Sequence, residues 1–339
     1  MGGEVTANLW RPTNLLIAGA TGTIGRAVVG EALSRGYRVT CLARSHRTIS
    51  TGSTAFASRR ISPVTETRIV DFADPASLLR DGFRQDRFDA VISCMASRTG
   101  VPKDAWEVDY EAQLNLLTAA KSANVGRMIL LSAICVQRPL LAFQKAKLAF
   151  EEKLVGSSID YSIVRPTAFF KSLSGQVERV KRGKPFLLFG NGELTACKPI
   201  SDKDLAHYII DCVEQDGRKN RILPIGGPGE AVTPRQQGEM LFSLLGREPR
   251  FRHIPLALID AIIAGLNLAG KFIPKAAPKA ELAKIGRYYA TESMLVLDPE
   301  TGAYGATATP STGSDTLAEH YANLLGGKTQ NERGDHTVF

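Results

Sequence analysis

The sequence predicts an α/β fold, a doubly wound parallel sheet followed by a smaller C-terminal α/β lobe, and three observations carry that expectation. Residues 14–44 read as strand, glycine turn, helix and strand. Apolar runs and helical patterns then alternate as far as about residue 170. Beyond that point the alternation loosens into short strands broken by glycine and proline.

The first unit is the most informative. Leu15 to Ala18 is a short apolar run suited to a buried parallel strand, and it leads into Gly19-x-x-Gly22-x-x-Gly25. Ile24, Ala27, Val28, Ala32 and Leu33 then recur at helical spacing, and Gly36 stands where a helix ends on a left-handed residue. Such glycines let the backbone approach a pyrophosphate while the helix amides point at that anion. In a unit of about 30 residues the motif predicts a Rossmann-type dinucleotide site at Gly19, Thr21, Gly22, Thr23, Ile24 and Gly25; a tight turn without a ligand is the bland reading. The second strand ends in Arg44, with Arg47 close behind. A carboxylate here suits the ribose 2′-hydroxyl, whereas the guanidinium fork suits a 2′-phosphate, so NADPH is the expected cofactor. A solvated surface arginine is the competing reading.

The other elements follow in order. Residues 45–66 form a polar loop, and Thr67 to Val70 a third strand that ends in Asp71-Phe72, where such folds hold the adenine. Asp74-Pro75 opens a helix. Phe88 to Ser93 is a fourth strand followed by Cys94 and Met95, at the carboxyl edge where ligands bind. Lys103 to Ala123 is a long helix, Met128 to Leu131 a fifth strand, Leu140 to Leu154 a helix and Tyr161 to Val164 a sixth strand leading to Pro166 and Thr167, further cofactor candidates. The expected organisation is a flexible N-terminus at 1–13, a nucleotide domain at 14–170 with segments returning from the second half, a substrate lobe at 171–327 and a disordered tail at 328–339.

Composition narrows the function. With 44% hydrophobic and 22% charged residues the chain is globular. A net charge of +8 fits anionic small ligands or an anionic membrane; there is no nucleic-acid motif, so nucleic acid is not an expected partner. Five scattered cysteines with no C-x-x-C pair suggest reduced thiols and a cytoplasmic setting. The 13 residues before the first strand lack the apolar core of a signal peptide. Residues 254–270 are the most apolar stretch, slightly short for a membrane span, with Lys271, Lys275, Lys279 and Lys284 after them. A buried helix of the second lobe suits that length, while an apolar helix with a basic flank can also lie on an anionic membrane or cover an apolar ligand. Peripheral membrane contact through 254–284 is thus one expectation. Oligomeric state is not written in the sequence.

The chemistry shows a missing group. Short-chain dehydrogenases use a serine or threonine after the fifth strand with Tyr-x-x-x-Lys on the next helix. Ser132 and Lys147 match as catalytic candidates, but the tyrosine position holds Phe143. A phenyl ring transfers no proton, so reduction of a carbonyl is poorly supported. Lys147 retains three donors for the nicotinamide ribose, and reduction of an activated carbon–carbon double bond suits the site better.

These residues, together with VRPTAFFKSLSGQVERVKRGKPFLLFGNGELTACKPISDKDLAHYIIDC and HYANLLGG, resemble the divinyl chlorophyllide 8-vinyl reductases, atypical short-chain dehydrogenases of chlorophyll and bacteriochlorophyll synthesis. The resemblance implies an oxidoreductase in which NADPH reduces the 8-vinyl group of a 3,8-divinyl chlorophyllide or protochlorophyllide to ethyl. It implies a flat magnesium macrocycle with a propionate, lined by Phe169, Phe170, Phe186 and Phe189, with Arg165, Lys171 and Lys198 as nearby cations. Neither His207 nor His253 is assigned to the pigment magnesium, and no metal site is expected. Compared with plant members the chain lacks a plastid-targeting extension, which implies a phototrophic bacterium and a place at its photosynthetic membrane. A non-catalytic NADP(H) sensor and an isoflavone-reductase-like enzyme remain as alternatives that also lack the tyrosine.

Overall fold

The computed structural model describes residues 14–44, 65–270, 272–273 and 276–328. The expected flexible N-terminus, most of the 45–66 loop with Arg47, Lys271, Lys275 and the tail after Lys328 lie outside the described residues.

Seven strands form one parallel sheet: β1 (Asn14–Ala18), β2 (Arg38–Arg44), β3 (Glu66–Val70), β4 (Ala90–Ser93), β5 (Arg127–Leu131), β6 (Asp160–Pro166) and, after the short β7 (Phe186–Phe189), β8 (Arg221–Ile225). Their order is β3-β2-β1-β4-β5-β6-β8. The chain therefore reverses direction across the sheet between β1 and β4, the place where a doubly wound sheet opens a crevice at its carboxyl edge. After the half-buried Asn14, β1 is wholly apolar, and both it and β4, Ala90–Ser93, are buried, as strands covered on both faces must be.

Helix Thr23–Ser34 packs with helix Asp202–Glu214 on one face, where Val28, Val29 and Ala32 meet Leu205, Ile209 and Ile210. The other face carries Leu78, Phe83, Leu116, Leu117, Phe150 and Leu154 from helical segments 75–83, 102–122 and 142–155. The helix expected from Lys103 spans 102–122, but its Trp106–Ala112 portion is π-helical. π-Helical turns are rare and gather at functional sites. Thr23–Ser34 ends at Gly36, whose φ of +85° confirms the expected left-handed stop.

Segments from beyond residue 170 return to the first half of the chain. Helix 202–214 and β8 return to the nucleotide domain, β8 extending the sheet beside β6. The second lobe is the remainder: β7 pairs in parallel with β9 (Phe251–Ile254), and a core of Phe170, Val180, Phe186, Leu188, Leu241, Phe242 and Tyr321 joins them to helices Pro234–Leu244 and Leu317–Leu325. Thr233 and Thr316 start those helices with capping boxes to Gln236 and Glu319.

The apolar segment forms helix Leu256–Gly270, packed on helix Ala276–Tyr289. A buried position, the reading that its length favoured, does not occur: no residue of Leu256–Gly270 is buried. Length alone does not say whether a partner element lies on both sides of a helix. No helix among the described residues is long and apolar enough to cross a membrane.

Candidate active site

The glycine turn is built by close backbone approach. Gly19 has φ +79°, and a Cβ there would stand 2.6 Å from the Cys94 carbonyl carbon. A Cβ on Gly25 would stand 2.2 Å from the Gly19 carbonyl oxygen. The Gly22 amide donates to that same oxygen at 3.1 Å. Gly22 precedes the helix with no side-chain cap. The amides of Thr23, Ile24 and Gly25 thus open the helix beside Thr21 without an intrahelical acceptor, an arrangement that fits a pyrophosphate. The Lys171 ammonium, assigned from sequence to the substrate, lies at this turn and donates to Thr23 Oγ1 at 2.8 Å.

Other cofactor candidates surround the crevice in different states. Arg44 is exposed at the end of β2, opposite Val70 of β3. The Asp71 carboxylate accepts from the Ala73 amide at 2.9 Å, closing a local turn. Phe72 is buried in the core; only its carbonyl is drawn out of that core's apolar company, accepting from Asn115 Nδ2 at 2.9 Å. Cys94 is half-buried, and burial pushes its thiol up to about 12, so it stays protonated. Met95 is buried; Gln113 donates to its carbonyl at 3.3 Å and accepts from Ser93 Oγ at 2.8 Å. Pro166 ends β6, and the Thr167 amide donates to Ile225 while its hydroxyl donates to the Lys198 carbonyl.

The two catalytic candidates are both engaged. Ser132 is buried and donates to Glu151 Oε1 at 2.5 Å, and the other Glu151 oxygen pairs with Arg165. The hydroxyl therefore faces an internal ion pair, which also occupies the cation expected near the substrate. Lys147 Nζ lies 2.9 Å from Asp109 Oδ1, and the Ser97 amide donates to the same oxygen at 3.2 Å. Asp109 Oδ2 is buried with no hydrogen-bond partner. The π-helical turn carries Asp109, with Gln113 four residues on. Sequence reasoning passed over both, although two polar residues four apart on a helix with apolar neighbours signal a buried polar stripe.

Phe143 lies in an apolar cluster with Ala133, Cys135, Ile285 and Tyr288. Gly100 packs against Phe143 and Ile285. Tyr288 donates to the Cys135 carbonyl at 2.9 Å, and the Tyr289 hydroxyl meets Cys135 Sγ at 4.0 Å. Helix Ala276–Tyr289 thus brings two phenols to the end of β5 from more than a hundred positions away. The sequence carried no local signal for that.

The substrate candidates divide. Phe169 and Phe189 are half-buried at the ends of β6 and β7. Phe170 and Phe186 are core residues, Phe170 at 5% exposure with its ring 5.3 Å from that of His320. Lys198 Nζ donates to the Thr309 carbonyl at 3.1 Å and to Ser311 Oγ at 3.2 Å, fastening two segments together. Aromatic and basic residues read alike in sequence whether they line a pocket or a core. A concavity of about 1220 Å³ lined by Arg84, Asp86, Arg127 and Lys219 lies at the amino edge of the sheet, remote from the glycine turn. Doubly wound sheets bind nucleotides at the opposite edge.

Residues 19–216 match the NAD(P)H-binding family model. Over 335 residues the chain is 49% identical to the divinyl chlorophyllide a 8-vinyl-reductase, chloroplastic, of Zea mays, covering 96% of this chain and 83% of that one. The chain belongs to the divinyl chlorophyllide a 8-vinyl-reductase family. The Arabidopsis thaliana family member is also 49% identical, over 92% of this chain and 76% of its own. The fold resembles that of an Escherichia coli NADPH-dependent quinone oxidoreductase complexed with NADPH, with a TM-score of 0.63 and 18% identity over 92% of this chain and 99% of that one. A nicotinamide cofactor therefore fits this chain, and Phe143 stands where carbonyl reducers carry a tyrosine.

Proposed function

We propose that this chain reduces the 8-vinyl group of a 3,8-divinyl chlorophyllide or protochlorophyllide to an ethyl group, with NADPH as reductant. The observation that carries the reading is the 49% identity to the maize reductase over 96% of the chain. Reduced nicotinamide supplies a hydride when bound. The turn amides of Thr23 to Gly25 hold the pyrophosphate with Lys171 beside them, and Arg44 takes the 2′-phosphate. Asp71, Cys94, Met95, Pro166 and Thr167 border the remainder of the cofactor. Lys147, oriented by Asp109, faces the nicotinamide ribose. Phe169 and Phe189 stack on the apolar macrocycle.

The pigment is hydrophobic, and helix Leu256–Gly270 offers it a route. Leu258, Ile262 and Leu268 are each about half or more exposed, and Phe272 is 81% exposed. With a net charge of +8 the chain suits an anionic lipid surface, onto which this helix lays its apolar side. Leu268→Glu combined with Phe272→Glu should abolish co-sedimentation with anionic vesicles while leaving turnover of detergent-dispersed pigment.

Mixing purified protein with NADPH and divinyl chlorophyllide tests the main reading. A blue shift of the Soret band with matching NADPH consumption supports it. Cofactor binding without turnover would instead favour the sensor.

A further inference from the structure

Two stretches of the second lobe carry cations that the reduction does not use. Residues 181–184 read Lys-Arg-Gly-Lys, and residues 247–252 read Arg-Glu-Pro-Arg-Phe-Arg. We propose that the groove they form binds a phosphate-bearing ligand, a free phosphate compound or the headgroup of an anionic lipid, at a site separate from the cofactor crevice.

The fold brings the two stretches together. β7 and β9 pair in parallel, and the Phe186 amide donates to the Arg250 carbonyl at 2.8 Å, so the strands start side by side. Helix Val177–Lys181 stops before Gly183, at φ +76°, and helix Pro234–Leu244 before Gly246, at φ +62°. Backbone bonds hold both stops: the Lys184 amide donates to the Arg179 carbonyl at 3.1 Å and the Arg247 amide to the Phe242 carbonyl at 3.0 Å. Between them lies a groove of about 460 Å³ that Lys181, Arg182, Arg247 and Arg250 line together with Phe242. A small molecule fits a space of that size.

Charge decides what the groove accepts. Its lining holds four cations and one carboxylate, Glu248. Lys184 and Arg252, both exposed, adjoin it in the chain. Arginines elsewhere meet carboxylates, as Arg35 meets Asp211 and Arg68 meets Asp86. Among the described residues none of these six cations has an ion-pair partner.

Part of that charge has a structural use. Arg247 Nη1 donates to the Val180 and Lys181 carbonyls at 3.3 and 3.2 Å, and Lys181 Nζ to the Leu325 carbonyl at 3.2 Å, so both cap helix C-termini. A helix end offsets only about half a charge, so the two helices that stop at the groove leave it positive by about two. Arg182 and Arg250 are exposed, and their side chains form no hydrogen bond among the described residues. Two such guanidinium forks match the paired oxygens of a phosphate, and a cleft of one sign concentrates that anion before it docks.

The full chain, with NADP+ saturating so that the glycine turn is occupied, is titrated with inorganic pyrophosphate and, separately, with phosphatidylcholine vesicles with and without phosphatidylglycerol. Arg182→Gln combined with Arg250→Gln should lose about tenfold or more in affinity for one of these probes, while its melting temperature and NADPH affinity stay those of wild type. Glu248→Gln removes the carboxylate of the groove and should bind the same probe about fivefold more tightly, a gain that misfolding does not produce. Binding of pyrophosphate lost in the arginine variant supports a ligand from solution. Binding to phosphatidylglycerol vesicles alone, lost in the arginine variant, supports a lipid headgroup. A wild-type chain that binds neither probe, an arginine variant that binds both as wild type does, or a Glu248→Gln chain that gains affinity for neither overturns the site. None of these readouts depends on reduction of a vinyl group.

Discussion

The Lys147 ammonium lies 2.9 Å from the Asp109 carboxylate, whose side chain is completely buried. Removing one member of a buried pair strands the other charge, so Asp109→Ala should cost about 3–5 kcal/mol. The double variant Asp109→Leu, Lys147→Met should recover most of that loss. Urea unfolding of the three variants measures the coupling; equal losses in single and double variants would mean that the pair contributes nothing as a pair.

Arg44 ends β2 with its side chain in solvent, close to where the 2′-phosphate would lie. Arg44→Asp should weaken NADPH binding by about 2–4 kcal/mol through loss of charge-assisted hydrogen bonds, while NADH binding changes little. Fluorescence titration with both nucleotides checks the ratio. An unchanged preference would return Arg44 to the surface.

Gly25 and Gly30 share a helix but not an environment. A Cβ on Gly25 would meet the Gly19 carbonyl oxygen at 2.2 Å, whereas nothing lies within 4 Å of one on Gly30. Gly25→Ala should destabilise the fold by about 1–3 kcal/mol and abolish nucleotide binding. Gly30→Ala should stabilise by about 0.5–1 kcal/mol, from helix propensity alone. Thermal melting with and without NADPH reads both.

His320 packs on Phe170 and contacts Ser174 Oγ at 2.9 Å, and burial lowers its pKa. The folded chain then binds this proton less readily than the unfolded chain. Its contribution is present above the unfolded value of about 6.5 and is lost as pH falls from there through the folded value. Wild-type stability should drop between neutral pH and about pH 5 more steeply than that of His320→Gln. Parallel slopes in pH-dependent urea unfolding would remove His320 as the cause.

Phe143→Tyr restores the motif on paper. In the structure a hydroxyl there would enter the apolar cluster of Ala133, Ile285 and Tyr288. Turnover should not rise, and stability should fall by about 1–3 kcal/mol from an unsatisfied buried hydroxyl. A large gain in kcat would show that protonation from this helix limits the reaction.

The sequence by itself determined the glycine turn, the parallel sheet and the family, because these rest on local rules. An apolar run of four, glycines three apart and a period of 3.6 describe neighbours in the chain. The fate of individual side chains was decided elsewhere. Ser132 and Lys147 were legible as candidates, but Glu151, Arg165 and Asp109 settled which way they face. Lys171 was legible as a cation, but its contact with Thr23 at the glycine turn exists only because the start of the second lobe folds back there. Phe170 and Phe189 are alike in sequence; packing alone buried the first and left the second half-open. Helix Leu256–Gly270 was legible as a helix, while its exposure depended on what fails to cover it. Tyr289 reached the end of β5 only through tertiary contact, since a pairing across that many residues leaves no periodic trace in the chain.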